Sequence, residues 1–202
     1  TVGDGFRAFY TLYARRFDKS RWGDKTPGYV LHITDIAETL PEAHFIHIIR
    51  DGRDVSLSWR QCWFAPCQDM KTLAVHWKHH VTEGRRQGAR CGRYIEVRYE
   101  ALLRRTAEVL KEICAFLGLS YVQQMERYYE TATERLKEHR GRQSRNGARV
   151  IGYEDRLQQQ RLAACPPDLS RIEAWKETMT ASERKDFEEV AGDLLRDLEY
   201  EV

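Results

Sequence analysis

Arg50 is the residue in this chain best placed to hold an anion. It closes an apolar, β-prone run in Phe45-Ile46-His47-Ile48-Ile49-Arg50-Asp51-Gly52-Arg53-Asp54-Val55-Ser56-Leu57-Ser58-Trp59, and Ser58 follows eight residues later. In an open α/β sheet, ligands sit beyond the carboxyl ends of the strands. A guanidinium at such an end can grip a phosphate through two parallel hydrogen bonds. Asp51-Gly52 turns the chain, and the pattern predicts a helix starting near Asp54. From that helix the Ser58 hydroxyl could return to the same phosphate. The same residues permit a second arrangement, in which Arg50 pairs with Asp51 or Asp54 beside a solvent-facing Ser58. Arg53 faces the same choice of acids.

Other residue types capable of chemistry give weaker patterns. His76 and His80 lie one helical turn apart, as two metal ligands would, with His79 between them. No acidic or sulfur ligand stands at suitable spacing beside them, so a solvated helix face is the expectation. The five cysteines, Cys62, Cys67, Cys91, Cys114 and Cys165, are odd in number and form no Cys-x-x-Cys pair. Neither a disulfide framework nor a structural zinc site is expected, which fits a reducing compartment.

The elements that must position these residues are legible as periodicities. Phe6, Phe9, Leu12, Tyr13 and Phe17 predict an amphipathic helix over 4–17. A loop rich in Gly and Pro follows over Arg21–Tyr29. Val30, Ile33, Ile36, Ala37 and Leu40 form a second helical stripe, stopped at Pro41. The run ending at Ile49 is apolar on both faces, as in an interior parallel strand. Helices are predicted over 71–88, 106–118 (closed by Gly118), 121–137 and the C-terminal segment, with a short strand over 94–97. Residues 138–167 are polar and Arg-rich, and read as a mobile surface loop or lid. Its Arg140, Arg142 and Arg145 could close over a cofactor or an anionic acceptor. Strands alternating with helices predict an α/β fold with a mainly parallel sheet.

Composition narrows the class. The 202 residues suit one domain over 1–202, and 42% are hydrophobic, which is a globular value. Lys and Arg number 33 against 31 Asp and Glu, for a net charge of +2. That near balance argues against a nucleic-acid binder relying on bulk charge. No apolar run approaches the ~20 residues needed to span a bilayer. A cytoplasmic protein with no membrane segment is expected.

Several segments, in order, resemble one family. The strand followed by Arg50-Asp51-Gly52-Arg53-Asp54-Val55, with Ser58 beyond, resembles the 3′-phosphate-binding motif of sulfotransferases that use 3′-phosphoadenosine 5′-phosphosulfate (PAPS). Trp22-Gly23-Asp24-Lys25-Thr26-Pro27-Gly28-Tyr29 is similar to the Lys-Thr-Pro segment that precedes that motif. Val97-Arg98-Tyr99-Glu100-Ala101-Leu102, Phe116-Leu117-Gly118-Leu119 and Trp175-Lys176-Glu177-Thr178-Met179-Thr180 resemble the later segments. The likeness is collinear from about Trp22 onward and points to bacterial-type members related to the tyrosylprotein and heparan sulfotransferase group.

The resemblance implies a P-loop-type parallel sheet flanked by helices. Arg50 and Ser58 would hold the 3′-phosphate, and Tyr99 would approach the adenosine unless it is a core tyrosine. Lys25 would be catalytic, facing the bridging oxygen or the moving sulfonate. PAPS would be the co-substrate, with no metal, and the acceptor a small molecule, carbohydrate or peptide bearing a hydroxyl or amine. The general base is not identified, although His32 and Glu38 lie nearby in sequence. The family's opening strand and phosphosulfate-binding loop have no counterpart here, since Gly3-Asp4-Gly5 follows no strand. The chain is therefore expected to be N-terminally incomplete, with a raw sheet edge that favours homo-oligomers. A basic-Gly element before Trp175 is also missing, and Ser170 and Arg171 stand in its place. The alternative function is a non-catalytic nucleotide-binding relative or an inactive fragment. An ATP-using P-loop kinase would need a Gly-x-x-x-x-Gly-Lys-Ser/Thr loop, which is absent.

Overall fold

The computed structural model describes residues 1–62, 65, 67–138, 142–143 and 149–202. The chain forms two compact units, one of Thr1–Arg98 with Ala174–Val202 and the other of Tyr99–Glu173.

In the first unit, α1 (Val2–Arg15) starts two residues earlier than its apolar spacing predicts. Thr1 Oγ1 accepts the Asp4 N–H at 3.2 Å and caps it. The second apolar stripe is broken into a 3₁₀ turn (Pro27–Leu31) and α2 (Ile33–Thr39), because His32 between them leaves helical geometry at φ −134°. Strand β1 (Phe45–Ile49) leads into α3 (Gly52–Arg60) and α4 (Met70–Gly88), and the crossover returns as β2 (Tyr94–Arg98). The two strands pair in parallel register from Phe45 opposite Tyr94 to Ile49 opposite Arg98. The interior-strand expectation holds on one face only. Ile49 is buried, whereas Ile46 and Ile48 keep 37% and 51% of their surface exposed.

The C-terminal part of this unit is a short helical turn (Trp175–Thr178) and a long capped helix (Ala181–Asp197). In the latter the Thr180 hydroxyl and the Glu183 carboxylate satisfy each other's backbone N–H. Its apolar face meets α4. Ile49, Met70, Ala74, Trp77, Val81, Trp175, Met179, Phe187, Ala191 and Leu195 form one buried cluster. Burying a large apolar side chain contributes about 1.5–3 kcal/mol, so this cluster fixes where β1 ends and α3 begins. Gly52 lies against it, and a Cβ there would overlap the Trp77 and Phe187 rings.

In the second unit, α5 (Tyr99–Arg104) and α6 (Thr106–Leu117) run consecutively. Gly118 closes α6 at φ 63°, where the left-handed conformation costs glycine little. The helix expected over 121–137 is a 3₁₀ turn (Gln123–Arg127) followed by α7 (Tyr129–Leu136). The segment read as a lid contains two short antiparallel strands, β3 (Arg142–Gln143) and β4 (Arg149–Ile151). It also contains α8 (Tyr153–Gln160), whose start is fixed by the Asp155 carboxylate accepting the Gly152 N–H, and a 3₁₀ turn (Arg161–Ala164). Polar helices of this kind carry little apolar periodicity, which is why the sequence pattern reads as loop. Arg140 and Arg145 lie outside the described residues.

The architecture is α/β: a small parallel sheet flanked by helices, with the carboxyl ends of β1 and β2 side by side.

Candidate functional site

The end of β1 is held from several directions. Asp51 is the N-cap of α3, accepting the Arg53 N–H at 2.8 Å, so the helix starts at Gly52 rather than near Asp54. The Arg50 carbonyl accepts the Trp77 Nε1–H at 3.2 Å from α4. The Arg50 side chain, only 15% exposed, forms an ion pair at 3.5 Å with Asp54, whose side chain is 1% exposed. Asp54 in turn accepts the backbone N–H of Trp175 at 3.0 Å. Of the two arrangements compatible with the sequence, the Arg50–Asp54 pairing is therefore present. An arginine paired in this way can still meet an anion, because a planar guanidinium presents N–H donors on more than one edge.

Arg53 is a structural residue. It is fully buried and donates to both Asp51 oxygens (Nε 3.1 Å, Nη2 2.8 Å), to Glu188 at 3.0 Å and to the Glu201 carbonyl at 2.6 Å. Its guanidinium lies 3.6 Å from the centre of the Trp175 ring. A buried guanidinium needs such full satisfaction, because leaving one partner missing costs several kcal/mol.

The other candidates are placed as follows. Ser58 is half-buried on α3, one turn beyond Asp54 and so on the same helix face. Asp54, which pairs with Arg50, and Ser58 thus share one face of α3. Ser56, on another face, is fully buried, and its Oγ has no hydrogen-bond partner among the described residues. Lys25 is exposed in the loop before the first 3₁₀ turn. That loop hangs on α1: Trp22 stacks on Tyr10 with ring centres 4.4 Å apart, and the Tyr10 hydroxyl donates to Asp24 at 3.0 Å. Asp24 also accepts from Thr26 at 3.4 Å. Tyr99 opens α5, directly after the last residue of β2, and belongs to the second unit. His32 lies 3.1 Å from Asp35, and His80 Nδ1 lies 2.7 Å from the His76 carbonyl. No group of three or more His, Cys, Asp or Glu suited to a metal occurs among the described residues.

Residues 3–124 match the sulfotransferase family. The chain belongs to that family. Lys25, Arg50, Ser58 and Tyr99 all fall inside the matched range, while Trp175 and Glu188, which brace the Arg50 loop, fall outside it. Among solved structures, a sulfotransferase domain from the curacin biosynthetic pathway superposes with a TM-score of 0.56 at 17% identity. The overlap covers 89% of this chain and 62% of that domain, so the family member described here spans under two thirds of the solved chain. At that identity the likeness shows a shared fold. No curated protein matches the sequence. No helix among the described residues is long and apolar enough to cross a membrane.

Sequence pattern alone missed the braces. Trp77 reads as core from its helical phase, and nothing local ties it to Arg50. Trp175 stands out in the sequence only by its place in a family-like segment. Its N–H is the link to Asp54.

Proposed function

We propose that this sulfotransferase-family protein transfers a sulfonate group from PAPS to a hydroxyl or amine of a small-molecule, carbohydrate or peptide acceptor. The observation that carries the reading is Arg50, held at the carboxyl end of a parallel strand with its backbone fixed by Trp77 and its largely enclosed side chain beside Asp54. A rigid, partly desolvated guanidinium suits a phosphate dianion. Arg50 and Ser58 take the 3′-phosphate, which separates PAPS from ordinary adenine nucleotides, and Tyr99 approaches the adenosine. Residues 1–202 are read as part of one sulfotransferase domain acting in the cytoplasm.

In the transfer, the sulfur–oxygen bond to the donor's bridging oxygen breaks as a new bond to the acceptor oxygen or nitrogen forms, and the acceptor's proton leaves to a base. Negative charge grows on the bridging oxygen. Lys25 stabilises it there, an interaction stronger in the transition state than in the ground state. Neither a metal nor a nucleic acid is needed for this chemistry.

The test is sulfonate transfer from labelled PAPS to a panel of phenols, sugars and tyrosine peptides, with the Lys25→Ala variant alongside. The expected loss in kcat is about 10²–10³-fold, with affinity for the product nucleotide, 3′-phosphoadenosine 5′-phosphate (PAP), changed less than threefold. Tight PAP binding without transfer to any acceptor would instead identify a nucleotide-binding relative.

A further inference from the structure

Asp54 is a carboxylate buried where solvent cannot compensate it, and each of its oxygens has a separate task. Oδ1 accepts the Trp175 N–H at 3.0 Å, and Oδ2 faces Arg50 Nη2 at 3.5 Å. Burying a carboxylate is costly unless its partners are fixed. Here one partner is a backbone N–H of the C-terminal helical turn, 121 residues away in the chain. That turn is itself locked by the buried Arg53, which stacks on the Trp175 ring and binds Glu188 and the Glu201 carbonyl. The plane of Asp54 is therefore set by the C-terminal element, and Asp54 in turn orients the Arg50 fork. Trp77 holds the same residue from its carbonyl side. Side-chain freedom lost in advance need not be lost on binding, so an arginine fixed from both ends binds its anion more tightly.

We infer that Asp54 is a positioning residue: it orients Arg50 for the 3′-phosphate, so that the Trp175 segment governs donor selectivity from outside the family-matched range. This rests on the reading of Arg50 as the phosphate ligand. Electrostatics alone predicts the opposite sign, because removing a negative charge beside Arg50 should tighten anion binding. The two accounts are thereby separable.

The experiment is calorimetric titration of the whole chain with PAP and with adenosine 5′-monophosphate, comparing wild type with Asp54→Asn. The asparagine keeps an oxygen for the Trp175 N–H and presents an amide to Arg50. The expected result is PAP affinity lowered about 10- to 100-fold, the scale of one hydrogen bond to a charged group, with monophosphate affinity unchanged. PAP binding that is unchanged or tighter, in a wild type that does discriminate, overturns the positioning role alone. A wild type that binds both nucleotides equally overturns the Arg50 reading and this inference together. Thermal melts supply a second measurement, independent of nucleotide, should the asparagine variant be too unstable to titrate. Asp54→Asn is expected to lower Tm much less in an Arg50→Ala background than in wild type. Equal losses in the two backgrounds would mean that Asp54 serves Trp175 only, and would overturn the inference.

Discussion

At the scale of single residues, the Arg50 region separates side chains by what surrounds them rather than by type. Three acidic and basic neighbours within five positions have three fates: Asp51 caps a helix, Arg53 is buried in a closed network, and Arg50 keeps a partly exposed side chain. Ser56 and Ser58 divide in the same way. Ser58 shares a face with Asp54, whereas Ser56 is buried and its hydroxyl meets no partner among the described residues. A buried hydroxyl without a partner costs about 1–3 kcal/mol. Ser56→Ala is therefore expected to leave the melting temperature unchanged or raise it by a few degrees, and a clear fall in Tm would show that the hydroxyl has a partner. That Arg50 ends a strand was legible in the sequence, because an apolar run stopping at Arg-Asp-Gly is a local pattern. Its bracing was not. The contacts of Trp77 with Arg50, of Trp175 with Asp54 and of Glu188 with Arg53 span 27, 121 and 135 positions, and no periodicity encodes them.

At the scale of elements, the junction of β1 and α3 depends on close packing against α4 and the C-terminal helix. Gly52 has no room for a methyl group beside Trp77 and Phe187. Gly52→Ala is expected to destabilise the fold by about 1–3 kcal/mol or more, read as a shift of the denaturation midpoint with an unchanged slope; a midpoint within error of wild type would contradict this packing. β1 also carries a pH dependence. The His47 ring lies between the strands' side chains and α4, with Nδ1 2.6 Å from the Tyr94 hydroxyl, which donates on to Glu96 at 3.1 Å. Burial pulls its pKa below the ordinary 6.5, partly opposed by Glu96 and assisted by Arg85. Below pH 6.5 the unfolded chain then binds more protons than the folded one, so stability falls as pH drops and levels off once the folded ring is also protonated. His47→Gln is expected to flatten the dependence of Tm on pH below 6.5, and parallel wild-type and variant profiles would contradict the assignment. Strand and long-helix positions were legible because their apolar repeats run over many residues. The helix starts at Val2 and Gly52 were set by the caps Thr1 and Asp51, which a periodicity count passes over. The polar α8 had no repeat to read.

At the scale of the whole molecule, the chain is a sulfotransferase-family α/β protein whose first strand ends directly before Arg50. Its near-neutral net charge of +2 suits a site built from a few fixed cations. We propose that Arg50, braced by Trp77 and Asp54, recognises the 3′-phosphate of the sulfonate donor. The most direct test is calorimetric titration of the purified chain with PAP and with adenosine 5′-monophosphate, for wild type and for Arg50→Ala. Wild type is expected to bind PAP at least tenfold more tightly than the monophosphate, and Arg50→Ala to abolish the preference while leaving a folded protein. Equal affinity of wild type for the two nucleotides, or a preference that survives in Arg50→Ala, would contradict this role of Arg50.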